Sequence, residues 1–121
     1  MNYYAIPGFV VSMGETVVTK DKLKGLIEYI CKMHDGDINL FYTKTRKREV
    51  VTSRQTAMYV LKNFTKLSLA NIGKCIADKD HATVLHACKT INNLKDSDKN
   101  FKLIIENIDN HAKMILCRTI A

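Results

Sequence analysis

The segment from Ser68 to Ile91 constrains the fold of this chain more than any other part of the sequence. Apolar residues recur in it at helical spacing on both sides of the run Ala77-Asp78-Lys79. This pattern predicts two helices joined by a tight turn. Ser68 and Asp80 stand where the two helices would begin, and both residue types are favoured N-caps. The arrangement is typical of a helix-turn-helix, in which the first helix supports the second.

Helical periodicity also covers most of the remaining chain. Apolar spacing predicts a helix from Asp21, another from about Val50 and a last one from about Ser97. A short turn or helix is expected over residues 38–42. Together with the two helices of the Ser68–Ile91 segment, these elements predict an all-α domain of five or six helices.

Residues 1–18 carry the weakest structural signal. They contain strand-prone Tyr, Phe and Val residues and the turn signal Pro7-Gly8. A hairpin, an arm and a tail all fit this composition. We therefore divide the chain into an N-terminal arm of unknown structure, residues 1–18, and a helical domain, residues 19–121.

The positive charge of the chain is concentrated on one segment. The sequence of 121 residues has a net charge of +7, with 19 Lys and Arg against 12 Asp and Glu. Ten of the basic residues but only three of the acidic ones lie between Lys44 and Lys89. The rest of the chain is neutral, so the whole excess lies on the segment that contains the two-helix unit. This distribution favours a nucleic acid as the partner.

Cysteine usage and hydropathy exclude several other classes of protein. The four cysteines, Cys31, Cys75, Cys88 and Cys117, are widely spaced, which indicates small buried apolar residues in a reducing cytosol. No apolar run approaches the ~20 residues of a membrane span, and the first residues lack the pattern of a signal peptide. We expect a cytoplasmic protein with no membrane association.

Metal and enzyme chemistry are poorly supported. Cys75, His81, His86 and Cys88 are residue types that bind zinc, but their spacing fits no zinc pattern. Gly73-Lys74 is similar to the end of a phosphate-binding loop, but Cys75 replaces the required Ser or Thr. No paired carboxylates and no nucleophile–base arrangement stand out. We expect no metal, no cofactor and no catalytic residues.

The start of the second helix carries side chains that suit the major groove of DNA. The carboxylate of Asp80 accepts a hydrogen bond from a cytosine amino group, and His81 bonds a base edge. The methyl group of Ala82 packs on a thymine methyl group. Thr83 and the backbone N–H groups of the helix start suit a phosphate. Taken alone, a polar helix start is typical of any capped helix, and the local charge excess shifts the interpretation towards DNA. Further cations suited to phosphates are Lys62, Lys66, Lys79 and Lys89.

A second cluster of cations lies before and within the helix that begins at about Val50. It comprises Arg46-Lys47-Arg48 and Arg54. An arginine on a loop beside a groove-reading unit can enter a narrow A/T-rich minor groove, where the negative potential is strongest. We expect this role for Arg46 and phosphate contacts for Lys47, Arg48 and Arg54.

The run from Arg46 to Leu94 resembles the C-terminal DNA-binding domain of the bacterial replication initiator DnaA. The segment DHATVLHA, residues 80–87, looks like the signature motif of that family, and R-Q-x-A-M-Y, residues 54–59, supports it. The resemblance extends from about Lys20 to about Ala112. It implies a Trp-repressor-like helical fold that places the helix-turn-helix in the major groove of a DnaA box and the basic loop in the adjacent minor groove.

The resemblance also assigns roles by position. It implies that Arg46 enters the minor groove, that Asp80, His81 and Ala82 read bases, and that His86 lies on the recognition helix. It further implies backbone-contacting or neighbouring positions at Lys62, Leu69, Ala70, Lys79 and Thr83. The partner would be double-stranded DNA, bound by a monomer in the bacterial cytoplasm, in association with the nucleoid.

Three positions depart from the family pattern, and they bear on sequence preference. Ala82 stands where the family has Thr or Ser, Lys79 where it has Arg, and Ala70 where Pro is common. The loss of a hydroxyl and of a bidentate guanidinium predicts a shifted or relaxed site preference. The sequence also contains no Walker A loop, so we expect no ATPase activity from this chain.

Other functions stay open at this point. The chain could be a protein-interaction module that uses residues 1–18 or the last helix, or a transcription regulator with only non-specific DNA affinity. An RNA-binding role is less favoured, because Tyr59 and Phe64 are the only aromatic residues of the basic segment.

Overall fold

The computed structural model describes residues 10–13 and 16–117. Within these residues the chain forms a two-stranded hairpin followed by five α-helices, which confirms the all-α helix-turn-helix domain with a short N-terminal arm. The elements in chain order are β1 (Val10–Met13), β2 (Thr16–Thr19), α1 (Lys20–Met33), a 3-10 helix (Ile38–Leu40), α2 (Arg48–Phe64), α3 (Leu69–Cys75), α4 (His81–Ser97) and α5 (Lys99–Cys117).

The hairpin resolves part of what the sequence left open at the N-terminal arm. Strands β1 and β2 pair antiparallel, with Val10 opposite Thr19 and Met13 opposite Thr16. The hydroxyl of Thr19 accepts a hydrogen bond of 3.1 Å from the backbone N–H of Lys22 and so caps α1. Strand β2 therefore runs directly into α1. Residues 1–9, including Pro7-Gly8, lie outside the described residues.

Helix α2 lies at the centre of the helical domain. It contacts the other four α-helices. Its residues Ala57, Val60 and Leu61 are fully buried, because the apolar positions of this helix recur on the faces that its neighbours cover. The helix begins at Arg48, two residues before the predicted start. The basic loop leads into this helix, and both helices of the helix-turn-helix pack against it.

The apolar faces predicted for the other helices also form the core. Leu26, Ile30, Ile72, Ile91 and Ile105 have no exposed surface. Other apolar residues are only partly buried and pack against the edge of this core, among them Phe64, Leu69, Phe101, Ile104 and Ile115.

The described cysteines are buried thiols, as predicted. Cys31, Cys75 and Cys88 are free and buried. Burial raises the pKa of the Cys75 thiol to about 11, so this thiol is protonated at neutral pH. The side chain of Cys117 lies outside the described residues. Among the residues described, no group of His, Cys, Asp or Glu has the arrangement of a metal site. No helix in residues 16–117 has the length and hydropathy to cross a membrane.

Candidate nucleic-acid interface

The turn between α3 and α4 fixes how the two helices meet. After Ile76, Ala77 and Asp78 both adopt left-handed backbone angles, with φ of 53° and 51°. The backbone N–H of Lys79 then donates to the carbonyl oxygen of Gly73 at 2.7 Å. A Cβ atom at Gly73 would lie 1.8 Å from the carbonyl oxygen of Lys79. The turn can therefore close against α3 only because residue 73 has no side chain.

The first turn of α4 is held by Asp80. Its carboxylate oxygen accepts a hydrogen bond of 2.8 Å from the backbone N–H of Thr83, which makes Asp80 the N-cap, as predicted. Hydrogen bonds from the Thr83 hydroxyl and backbone N–H lower the pKa of Asp80, so the carboxylate is ionised at neutral pH. The N–H of Thr83 is thus occupied. The N–H groups of His81 and Ala82, at the helix start, have no intrahelical partner.

One face of α4 is polar and open. Ala82, His86 and Lys89 are exposed on it, whereas Val84, Cys88 and Ile91 are buried on the other side. The side chain of Leu85 is 54% exposed on the open face, although leucine is normally buried. Leu85 therefore adds an apolar surface beside His81 and Ala82.

A groove separates α4 from the basic loop before α2. It encloses about 640 Å³ and brings together five residues that the sequence marked as binding residues, Arg46, Arg54, Lys79, Thr83 and His86. They come from a loop, a helix, a turn and a second helix. No acidic residue occurs among the described residues that line the groove. The other lining residues are Lys44, Thr45, Val51, Gln55, Met58 and Ala87.

A second, smaller concavity lies on the α3 side of the same helix start. It encloses about 290 Å³ and is lined by Ala70, Lys74, Asp78, Lys79, Asp80 and His81. Lys79 therefore lines both concavities. The first turn of α4, with Asp80, His81 and Ala82, is exposed between the two concavities. We call these three residues the ridge.

Arg54 was expected to contact a phosphate, but its side chain points into the domain. Its side chain is only 5% exposed. Its Nε donates to the carbonyl oxygen of Phe41 at 2.6 Å, Nη1 to Thr45 at 3.0 Å, and Nη2 to Leu40 at 3.1 Å and Thr43 at 2.6 Å. Four of the five N–H donors of a guanidinium are thus used within the chain. We therefore remove Arg54 from the set of proposed phosphate contacts.

The other predicted cationic contact residues are exposed elsewhere on the domain. Lys47 and Arg48 are exposed at the start of α2, Lys62 is exposed near its end, and Lys89 is exposed on α4. Lys62 lies near enough to Cys88 that its charge acts to lower the pKa of that thiol, against the larger effect of burial. Lys66, also exposed, follows α2 in the chain.

Leu69 is a second predicted contact residue, after Arg54, whose side chain points inward. It is partly buried and packs against the core at the start of α3. Only its backbone, at the exposed end of that helix, is placed to meet a partner. The adjoining Ala70 is exposed and lines the smaller concavity.

Several residues of this surface were not identified from the sequence. Lys44 and Gln55 line the groove, Lys74 lines the smaller concavity, and Leu85 is exposed beside the ridge. The register of α4 contained a usable signal for Leu85, since it lies between Ala82 and Lys89 on the polar face. No comparable local signal marks Gln55.

Comparisons with known proteins match both the helix-turn-helix and the flanking helices. The family described as bacterial dnaA protein helix-turn-helix matches residues 23–91. The chromosomal replication initiator protein DnaA of Flavobacterium psychrophilum is 48% identical over 99 residues, which are 78% of this chain and 21% of that relative. The protein of the same name from Bacteroides thetaiotaomicron is 43% identical over 110 residues, 91% of this chain and 23% of the relative. The Bacteroides fragilis protein is 49% identical over 88 residues, 73% of this chain. The chain thus spans about a fifth of the length of these curated relatives.

Proposed function

Because the chain belongs to the bacterial DnaA protein helix-turn-helix family, we propose that it binds double-stranded DNA site-specifically, at sites like the DnaA box. The ridge formed by Asp80, His81 and Ala82 enters the major groove, where their side chains meet base edges. His86 follows one turn further along the same helix. Arg46 enters the adjacent minor groove from the basic loop.

The groove between the basic loop and α4 is the observation that carries this proposal. In DNA, one sugar–phosphate backbone separates the major groove from the neighbouring minor groove. The protein groove of about 640 Å³ likewise separates the α4 ridge from Arg46. Lys44 and Lys79 line it, and no acidic residue lies among its described lining. A phosphate backbone in this groove would place each reading element beside its own groove of the DNA.

Cations around the ridge supply the sequence-independent part of the affinity. We assign phosphate contacts to Lys47, Arg48, Lys62, Lys66, Lys79 and Lys89. The free N–H groups of His81 and Ala82 and the backbone of Leu69 and Ala70 add uncharged donors and contact surface. Each neutralised phosphate releases counterions, so the affinity should fall steeply with salt concentration.

We further propose that the chain acts at replication origins in the bacterial cytoplasm, in association with the nucleoid. The relatives carry the name chromosomal replication initiator protein, which motivates this extension. A single helix-turn-helix reads an asymmetric site, so the chain binds as a monomer. The proposed contacts are made by side chains and backbone groups of the chain itself.

Two substitutions test the reading roles. Arg46→Ala and His81→Ala should each weaken binding to a duplex that contains a DnaA box. One good base contact contributes roughly 1–3 kcal/mol, or about 5- to 150-fold in the dissociation constant. Titration of boxed and scrambled duplexes of equal composition measures the preference. Lys102→Ala, an exposed charge deletion on α5, is the matched control and should leave the preference unchanged. An undiminished preference in both reading variants would overturn these assignments.

Protein binding through α5 is the second candidate function. Leu103 and Met114 are both 59% exposed and lie eleven residues apart, which places them on one face of the helix. Two exposed apolar side chains on one helix face can pack against a partner protein. DNA binding that ignores sequence and vanishes at moderate salt would favour this function over the first.

A further inference from the structure

The basic loop is tied to α2 by one buried side chain. Arg54 donates hydrogen bonds of 2.6–3.1 Å to four backbone carbonyl oxygens between residues 40 and 45. We call this set of bonds the carbonyl clamp. The four acceptors all precede Arg46, and the last of them, the carbonyl of Thr45, is bonded directly to the backbone nitrogen of Arg46.

The clamp needs an arginine. A guanidinium is a rigid planar fork with five N–H donors, and it stays charged when buried. Charge-assisted hydrogen bonds are roughly twice as strong as neutral ones, so four of them hold the loop backbone firmly. An ammonium group has only three N–H donors, all on one nitrogen, so it could not bond all four carbonyls at once.

The loop has its own weaker bracing, which continues towards Arg46. The hydroxyl of Thr43 donates to the carbonyl of Leu40 at 2.7 Å and accepts from the N–H of Thr45 at 3.3 Å. The hydroxyl of Thr45 accepts from the N–H of Lys47 at 3.3 Å. These bonds span the backbone on both sides of Arg46, whereas the Arg46 side chain itself is exposed.

We propose that Arg54 is a positioning residue for minor-groove recognition, acting through Arg46. The clamp fixes the backbone from which Arg46 projects, so that its guanidinium meets the minor groove without first ordering the loop. Preorganisation of this kind raises affinity because the ordering cost is not paid on binding. The inference rests on the proposed function, since it concerns the minor-groove contact of Arg46.

The competing explanation is a direct bond from Arg54 to a phosphate, since one N–H of its guanidinium is not used in the clamp and the residue lines the groove. A double-mutant cycle separates the two. Arg54→Lys keeps the positive charge but loses the fork. If Arg54 acts through Arg46, Arg54→Lys weakens binding to a boxed duplex by about 5- to 150-fold, as Arg46→Ala does, and adds less than about threefold in an Arg46→Ala background.

Arg48→Lys is the matched control for this cycle. Arg48 lies in the same segment and is exposed at the first position of α2. Its effect should multiply with that of Arg46→Ala. If the effects of Arg54→Lys and Arg46→Ala multiply as well, Arg54 acts independently of Arg46 and the inference is wrong. Should Arg46→Ala itself bind boxed DNA with wild-type affinity, the minor-groove role of the proposed function fails instead.

A second variant covers the case in which Arg54→Lys does not fold, as measured by circular dichroism. One glycine inserted between Thr45 and Arg46 leaves the clamp intact but displaces Arg46 from it. We expect the affinity of this variant for boxed duplex to fall to that of Arg46→Ala, while its thermal unfolding stays close to wild type. Wild-type affinity after the insertion would overturn the inference, because Arg46 would then need no fixed backbone.

Discussion

Gly73 lies in α3 where the following turn folds back on the helix. The nearest atom to a Cβ at this position would be a backbone oxygen, that of Lys79, which cannot rotate away. Gly25 offers the opposite case, since it lies inside α1 with no atom within 4 Å of the position of a Cβ. Substitution by alanine at each glycine therefore distinguishes two effects on stability. At Gly73 it tests the close approach of the turn, and at Gly25 it tests helix propensity.

We expect Gly73→Ala to lower the free energy of unfolding by about 1–3 kcal/mol, because the turn must move away from α3. Gly25→Ala should instead raise it, by up to about 1 kcal/mol, because alanine favours the helix. Urea denaturation followed by circular dichroism measures both values. A neutral or stabilising Gly73→Ala would show that the turn does not need the close contact.

Individual residues differ in how far the sequence reveals their role. Ser68 and Asp80 were predicted as N-caps, and the structure confirms both. Caps can be predicted because each one bonds a backbone N–H only three residues away. The clamp of Arg54 was not predicted, because its acceptors lie 9 to 14 residues earlier in a loop. The burial of Arg54 could have been predicted, since it lies on the same helix face as the buried Val50 and Ala57.

Three helices meet at His34, the C-cap of α1. Its Nε2 lies 2.9 Å from the hydroxyl oxygen of Thr56 in α2, and its ring stacks on Phe101 of α5 with centroids 5.6 Å apart. The Thr56 hydroxyl donates to the carbonyl of Thr52, so Nε2 of His34 is the donor in the bond to Thr56. Burial lowers the pKa of His34, against a smaller opposing effect of Asp35.

Because of the lowered pKa of His34, we expect the protein to lose stability in mild acid. Because the folded pKa of His34 lies below its ordinary value of 6.5, the unfolded chain binds the proton more readily. The contribution of His34 is therefore fully present above about pH 6.5 and is lost as the pH falls through the lower folded pKa. Urea midpoints of wild type and His34→Gln between pH 7.5 and 5 should converge as the pH falls. A constant difference would contradict the lowered pKa.

Whole helices were more predictable than their ends and connections. The helical spacing of apolar residues predicted the five helices, because each helix buries one face. The start of α2 was placed two residues late, because the cations at its first turn resemble the preceding loop. The hairpin could not be chosen over an arm or a tail, since pairing of β1 with β2 depends on contacts that the strand propensity of residues 10–19 does not specify.

The molecule separates its charge according to its architecture. The segment from Lys44 to Lys89, which carries the whole charge excess, forms the basic loop, α2, α3 and the first half of α4. The rest of the chain, which is neutral in sum, includes α1 and α5, and these helices pack on each other and on α2. The excess positive charge therefore follows the basic loop, α2 and the helix-turn-helix, and this division could be read from the sequence.

The sequence alone could not show how the proposed reading residues are brought together. Arg46 and His86 lie forty positions apart, and only the packing of α4 on α2 places them on one groove. Lys79 and Ala82, which the resemblance led us to expect as departures from the family pattern, lie on or beside the ridge. Their positions make the preferred site of this chain a separate question from its membership of the family.

Selection of bound sequences from a pool of random DNA duplexes tests the central claim most directly. After several rounds with this chain at moderate salt, we expect the pool to converge on one asymmetric motif like the DnaA box, with any altered positions confined to those that Ala82 faces. A pool that stays random, or that converges on a motif unrelated to the box, would contradict site-specific recognition by the α4 ridge and Arg46.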